Sequence, residues 1–142
     1  MMFSVNKPTI VFYEKPGCAG NARQKKLLKQ CGYELDVKDM LSTPWTKDEL
    51  QNFFNGLEKS EIVNTSAPDI KNNVLNIDNV TKEQLIDMML EKPLLIKRPL
   101  MKFNNKYLCG FDTIKLSKVL NEDIKKLQDI STCTSEDSCK SV

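Results

Sequence analysis

The chain has 142 residues, of which 40% are apolar and 28% charged, and its formal net charge is +2. This length buries one core but is too short for two ordinary domains. The basic residues are spread along the chain, which excludes a nucleic-acid or membrane-surface footprint. Because the chain has no histidine, serine–histidine and cysteine–histidine nucleophile pairs and histidine-containing zinc sites are also excluded.

The first part of the chain predicts a strand, a helix and a second strand. Residues 8–13 are β-branched and aromatic and end at Lys15-Pro16-Gly17, which indicates a buried strand followed by a tight turn. A helix is predicted from about Asn21 to Cys31, with Gly32 at the position of a left-handed cap. Residues 33–37 alternate apolar and polar, which completes a βαβ unit.

The middle of the chain predicts helices. Capping boxes at Thr46 to Glu49 and at Thr81 to Gln84 each precede an apolar-periodic stretch. Residues 58–79 are polar and contain Pro68, which favours short helical turns and loops over a strand.

The last third predicts a β-hairpin and a helix. Residues 94–103 and 107–109 are strand-like and flank the turn Asn104-Asn105, and a final helix is predicted from Asp112 to about Leu127. The whole order matches an α/β domain of the thioredoxin-like, glutaredoxin-type plan, with a mixed four-stranded sheet and a helical insertion.

We therefore expect one domain over residues 1–127 and a disordered tail over residues 128–142, which are polar and serine-rich. The N-terminus lacks a basic region followed by an apolar run, and no later run has the length of a membrane span, so we expect a cytoplasmic protein. The five cysteines are odd in number and irregularly placed, which in a reducing compartment argues against a disulfide framework.

Cys18 falls between the first strand and the first helix. Unpaired backbone N–H groups and the helix dipole at this position favour an anion, here a thiolate. A small residue that merely fits a turn is the alternative. We predict a reactive thiol because activated cysteines occur in this placement.

Only Arg23 and Arg98 among the 21 basic residues are arginines. The fold brings their segments together, and the planar guanidinium binds oxyanions bidentately in a way that lysine cannot. Chance or a surface ion pair is the alternative for each of them.

Four motifs taken together resemble the ArsC/Spx (arsenate reductase-like) family, and in particular its nitrogenase-associated branch. The likeness covers about residues 8 to 125. The motifs are Phe12-Tyr13-Glu14-Lys15-Pro16-Gly17-Cys18, Pro44-Trp45-Thr46, Leu95-Ile96-Lys97-Arg98-Pro99-Leu100-Met101 and Gly110-Phe111-Asp112.

The resemblance implies a thioredoxin-like fold in which Cys18 is the active cysteine and Arg98 the oxyanion-binding arginine. It also implies that Pro99 is the cis-proline facing the cysteine, and that Asn21, Arg23 and Pro99 lie at the substrate. Asn21 stands where regulators of the Spx type carry a second cysteine, and Arg23 is displaced by one position from the usual arginine of the family.

Arsenate reductases of the family carry two further arginines that this chain lacks. Residues 62–65 contain none, and Phe111 stands where the other would be. The resemblance therefore implies weak activity on arsenate.

The other cysteines have less distinctive surroundings. Cys31 lies on the apolar face of its helix and is expected to fill the core. Cys109, on the hairpin strand that returns toward the active edge, is the candidate resolving thiol. Cys133 and Cys139 either resolve a mixed disulfide or are incidental exposed thiols.

Two functions are compatible with these residues. The first is a thiol oxidoreductase in which the Cys18 thiolate attacks an oxyanion or a disulfide, Arg98 holds the anionic partner, and glutathione or a glutaredoxin resolves the adduct. The second is a non-catalytic adapter or regulator that binds a protein partner, as Spx does, or a nitrogenase-related protein. We expect no bound cofactor or metal, glutathione as the candidate co-substrate, and a monomer.

Overall fold

The computed structural model describes residues 9–120, in which a mixed four-stranded sheet carries helices on both faces. The elements are β1 (Ile10–Glu14), α1 (Ala19–Gln30), β2 (Leu35–Asp39), α2 (Lys47–Phe54), α3 (Lys59–Ile62), α4 (Pro68–Lys71), a 3-10 turn (Ile77–Asn79), α5 (Lys82–Glu91), a 3-10 turn (Pro93–Leu95), β3 (Leu100–Phe103), β4 (Lys106–Cys109) and α6 (Thr113–Leu120). The strand order is β2-β1-β3-β4, with β1 parallel to β2 and antiparallel to β3. The predicted architecture is confirmed.

The alternation of side chains along the strands divides the core into two layers. Ile10 and Phe12 of β1 face one side, where α1 and α6 pack. Tyr13 faces the other side, where the helical insertion packs. Both sheet faces are therefore covered, which holds the end of β1 in a fixed position relative to α1.

Both predicted capping boxes are present. The side chains of Thr46 and Glu49 bond each other's backbone N–H groups at the start of α2, and those of Thr81 and Gln84 do the same at α5. The polar stretch between the two helices forms short helical turns, as predicted.

Strand β3 is shorter than predicted. It begins at Leu100 because Pro93–Leu95 form a 3-10 turn and Ile96 pairs with Val63 in an isolated bridge. The two-residue turn between β3 and β4 is confirmed, with Asn104 in the left-handed region at φ 55°.

The final helix is described as far as Leu120. Its predicted continuation to Leu127 and the predicted tail over residues 128–142 lie outside the described residues. No helix among residues 9–120 is both long and apolar enough to cross a membrane.

Candidate functional site

Cys18 caps the N-terminus of α1. Its backbone is extended at φ −79° and ψ 117°, and its Sγ accepts a hydrogen bond from the Asn21 N–H at 3.5 Å. The residue is buried, with 4% of its surface exposed, and its Sγ is in a disulfide bond. The thiols of Cys31 and Cys109 are reduced, so neither is the partner of Cys18.

Asn21 holds the turn that carries Cys18. Its side chain is buried, its Oδ1 accepts from the Lys15 N–H at 3.1 Å, and its Nδ2 donates to Gln24 Oε1 at 2.9 Å. Because both ends of the amide are used, Asn21 acts as a positioning residue for the turn over residues 15–18. The substrate-binding role that the resemblance implies stays a prediction.

A cavity of about 230 Å³ opens beside this turn. None of the described residues that line it is acidic, and two of them are cationic. The lining residues are Gly20, Asn21, Gln24, Ser60, Val63, Asn64, Thr65, Ser66, Lys97 and Arg98. The structure thus brings the mouth of α1, the 63–66 segment and Arg98 together around one space.

Arg98 is half-buried at this cavity, and burial lowers the pKa of its guanidinium. Its Nε is buried and has no hydrogen-bond partner, and no carboxylate among residues 9–120 forms an ion pair with it. Burial and then the charge of Arg98 lower the pKa of Lys15, which places a second cation nearby. A buried donor without a partner costs about 1 to 3 kcal/mol, so an anion bound here would be stabilised.

The wall formed by residues 63–66 is fixed to the segment that precedes β3. The Asn64 N–H donates to Leu95 O at 2.8 Å, and the Lys97 N–H donates to Ile62 O at 2.9 Å. The Asn64 side chain is used within this loop, donating to Leu94 O and accepting from the Ser66 N–H. Thr65 and Ser66 also line the cavity, and their hydroxyl groups carry no charge.

The peptide bond between Arg98 and Pro99 is cis, as the resemblance implies. Pro99 is buried, and its carbonyl accepts from the Gly110 N–H at 2.8 Å, which ties Arg98 to the end of β4. Gly110 has φ +84°, and a Cβ there would lie 2.9 Å from Lys97 Cε. The absence of a side chain at Gly110 thus lets Lys97 lie across the turn beside Arg98.

Several residues from the sequence analysis are not among the lining residues of this cavity: Cys18 and Pro99, which adjoin lining segments of the chain, and also Arg23, Cys109 and Phe111. Arg23 is half-buried on α1 but is not among the lining residues, because Gly20, Asn21 and Gln24 form the face of the helix that does line it. Phe111 is half-buried and packs against the cluster beneath α1 and α6. Phe111 therefore supplies packing and no charge.

The surroundings of Cys109 make its thiol a poor nucleophile. Its Sγ lies 3.7 Å from both Glu61 O and Lys97 O, and burial raises the pKa of its thiol to about 12. A thiol in this state is a poor nucleophile near neutral pH. Cys31 is buried in the apolar cluster with Leu27 and Leu28, as predicted.

Sequence reasoning did not assign Gln24, Ser60 or Lys97 to the site, although all three line the cavity. Gln24 follows Asn21 by three positions and so shares its helix face, a signal that was available. Ser60 had no such signal, because the fold of the insertion places it. Among residues 9–120, no group of three histidine, cysteine, aspartate or glutamate side chains could hold a metal ion.

Comparisons with known proteins identify the family that the chain resembles. The model of the ArsC family matches residues 13–119. The chain is 32% identical over 127 residues to an uncharacterized 15.7 kDa protein in the draG 3′ region of Rhodospirillum rubrum, covering 89% of each. It is 29% identical to the regulatory protein MgsR of Bacillus subtilis, covering 77% of this chain and 90% of that one.

Among solved structures, an arsenate reductase from Vibrio cholerae superposes with a TM-score of 0.66 at 25% identity, covering 82% of this chain and 98% of that one. With a fold of this kind and a family model that matches most of its length, the chain belongs to the ArsC family.

Proposed function

We propose that the protein is a thiol-dependent oxidoreductase in which Cys18 forms a covalent adduct with an anionic partner bound by Arg98. The observation that carries this proposal is the buried Nε of Arg98, which has no hydrogen-bond partner. The described residues that line its cavity include two cationic side chains and no carboxylate. The Cys18 Sγ accepts from the N–H of Asn21, which lines the same cavity.

The chemistry is thiol–disulfide exchange. The Cys18 thiolate attacks one sulfur of a disulfide such as glutathione disulfide, forms a mixed disulfide and releases one thiolate, which takes a proton from solvent. The role of Arg98 is to hold the carboxylates of such a partner. Glutathione or a glutaredoxin returns the protein to its reduced form.

The test compares two disulfides on the reduced protein near neutral pH, with mass spectrometry of the Cys18 peptide as the readout. Glutathione disulfide is anionic and 2-hydroxyethyl disulfide is neutral. Replacing Arg98 by Met should slow modification by the anionic disulfide at least about tenfold, which corresponds to about 1.4 kcal/mol, and should leave the neutral one within about twofold.

Arg98→Lys should fall between Arg98→Met and the unmodified chain, since lysine keeps the charge but not the fork. Replacement of the exposed Lys71 by Met is the matched control and should change neither rate. A Cys18 that reacts no faster than a cysteine in an unfolded peptide would overturn the proposal, as would equal losses with both disulfides in Arg98→Met.

A regulatory role is the second candidate, and the likeness to MgsR over 90% of that regulator favours it. In that role Cys18 would control the binding of a protein partner instead of turnover. The likeness to the protein in the draG 3′ region supports the nitrogenase-associated branch, within which the partner would be a nitrogenase-related protein. Rapid modification of Cys18 without catalytic turnover in the presence of glutathione and a glutaredoxin would select this candidate.

A further inference from the structure

We propose that a second cavity, next to the one at Arg98, binds the α-amino-acid end of the disulfide partner, which carries an ammonium group and a carboxylate. This inference rests on the proposed function, since it specifies the partner that exchanges with Cys18. The second cavity has a volume of about 310 Å³, and Lys97 lines both cavities. The two cavities therefore adjoin at this lysine.

The two cavities differ in the charges that line them. The described residues around the first cavity contribute Lys97 and Arg98 and no carboxylate, which fits a carboxylate of the ligand. The second cavity is lined by Lys97 and Lys115, and also by Glu61 and Asp112. Because its lining carries both signs of charge, the second cavity fits a ligand group that is itself zwitterionic.

The four charged side chains of the second cavity do not neutralise one another. None of them forms an ion pair with another residue in the range 9–120. Each carboxylate uses one oxygen at a helix N-terminus: Glu61 Oε1 accepts from the Glu58 N–H at 2.7 Å, and Asp112 Oδ1 accepts from the Ile114 N–H at 3.0 Å. The other oxygen of each carboxylate is left as an acceptor for an ammonium group, which has three donors.

Lys97 is held between the cavities by the shape of the turn beside it. Its side chain passes Gly110, where a Cβ would lie 2.9 Å from Lys97 Cε and 3.7 Å from Nζ. The Gly110 N–H donates to Pro99 O at 2.8 Å, so the second cavity begins beside the proline that follows Arg98. Within residues 9–120 no group accepts a hydrogen bond from Lys97 Nζ, which leaves this ammonium group for a ligand carboxylate.

These features fit a peptide-like disulfide with a zwitterionic group at one end and a second carboxylate at the other. In glutathione the γ-glutamyl residue supplies the ammonium group with its neighbouring carboxylate, and the glycine residue supplies the second carboxylate. The γ-glutamyl end would occupy the second cavity and the glycine carboxylate would bind Arg98. Since single ion pairs at exposed sites are weak, we expect this subsite to select among charged disulfides and to have little effect on neutral ones.

The experiment uses the full chain in its reduced form and measures the rate at which four disulfides modify Cys18, with mass spectrometry of the Cys18 peptide as the readout. The four are glutathione disulfide, glutaryl-cysteinylglycine disulfide, which lacks the α-ammonium group, 4-aminobutyryl-cysteinylglycine disulfide, which lacks the α-carboxylate, and neutral 2-hydroxyethyl disulfide. The unmodified chain should react with glutathione disulfide at least about fivefold faster than with either charged analogue, which is the upper value for one exposed ion pair.

Two double variants separate the two signs of charge. In Glu61→Gln, Asp112→Asn the preference over the glutaryl analogue should fall to within about twofold, because the amide oxygens keep the helix caps but the charge that binds the ammonium group is lost. In Lys97→Met, Lys115→Met the preference over the aminobutyryl analogue should fall to within about twofold, since methionine keeps an apolar stem and loses the charge.

Lys71→Met, at an exposed lysine of α4, is the matched control and should keep both preferences. All variants should react with 2-hydroxyethyl disulfide within about twofold of the unmodified chain, which shows that the site is folded. In the unmodified chain, equal rates for glutathione disulfide and either charged analogue would overturn the inference and leave the proposed function intact. A preference that persists in the matching double variant would overturn it as well. Failure of the proposed function has a different signature, because Cys18 of the unmodified chain would then react with none of the four disulfides faster than a cysteine in an unfolded peptide does.

Discussion

Asn21 is the residue whose role is least evident from the sequence, because a polar residue in the first turn of a helix ordinarily faces solvent. Here it is buried, and it joins the Lys15 backbone to α1 and to Gln24. The turn that carries Cys18 therefore depends on one amide.

Replacing Asn21 by Ala should lower the free energy of unfolding by about 1 to 3 kcal/mol, because the partly buried Lys15 N–H loses its acceptor. The reaction of Cys18 with glutathione disulfide should also slow. Gln24→Ala is the control, since it removes only the second contact, and its loss should be smaller. Denaturant unfolding at pH 7 measures the free energy of unfolding of both variants. Equal losses in the two variants would show that the hydrogen bond to Lys15 contributes nothing beyond the contact with Gln24.

Cys109 makes the stability depend on alkaline pH. Its pKa is raised to about 12 in the folded state, so above the ordinary thiol pKa the unfolded chain releases this proton first. The contribution of the protonated Cys109 to the free energy of unfolding is fully present below about pH 9 and is lost as the pH rises toward 12. Over that range the free energy of unfolding falls by up to about 1.4 kcal/mol per pH unit.

Cys109→Ala should abolish that slope. Unfolding of both proteins under reducing conditions at pH 8, 9 and 10 should show a difference that is constant up to about pH 9 and then shifts in favour of the variant. A difference that stays constant up to pH 10 would mean that the thiolate is tolerated in the folded state.

The positions of the missing arginines predict slow reduction of arsenate. A doubly charged tetrahedral anion needs several forked donors, and Phe111 and the 63–66 segment supply no charge. Two lost arginine contacts cost about 3 to 6 kcal/mol, which is on the order of a hundredfold to ten-thousandfold in rate.

The measurement is arsenate turnover coupled to glutathione and glutaredoxin, with a disulfide substrate in the same preparation. Arsenate reduction at ordinary enzymatic rates, abolished by Cys18→Ser and by Arg98→Ala, would contradict the prediction. Faster arsenate turnover in Thr65→Arg, at an exposed position on the cavity wall, would support it.

At the scale of elements, the helical insertion is anchored by a lysine. Lys59, at the start of α3, donates from Nζ to Ile77 O at 2.8 Å and to Val80 O at 2.7 Å. These bonds fix the helix that leads directly into the cavity wall at Val63.

Lys59→Met should keep the packing of the side-chain stem and lose both bonds, lowering the free energy of unfolding by about 1.5 to 3 kcal/mol. Thermal unfolding measures the loss. Lys71→Met, at an exposed lysine of α4, is the control and should stay within about 0.5 kcal/mol of the unmodified chain. A loss in Lys59→Met no larger than in this control would show that the anchor contributes nothing.

The elements that the sequence predicted well are those specified by local patterns. The capping boxes, Gly32 with its φ of 97°, and the Asn104 turn each need only neighbouring residues. The start of β3 was predicted too early because Ile96 is apolar and strand-like, while its pairing with Val63 is a long-range contact. The site shows the same division: Cys18 and Arg98 follow from motifs, whereas Ser60 and the position of Arg23 relative to the cavity depend on tertiary packing.

At the scale of the whole molecule, the last predicted boundary concerns the C-terminal segment. Removing residues 128–142 should leave the melting temperature of the reduced protein within a few degrees, because this segment has almost no apolar residues to bury. Calorimetry under reducing conditions measures this, and a larger decrease would mean that the segment is docked.

The strand at one edge of the sheet also affects how copies of the protein meet. Among the strands of residues 9–120, β2 pairs with β1 alone, and four of its five residues, Asp36 to Asp39, are exposed. Three of these carry charges of both signs, with Lys38 Nζ 3.6 Å from Asp36 Oδ2. A second copy that added a strand here would have to desolvate these charges, so this edge resists the strand addition that begins aggregation.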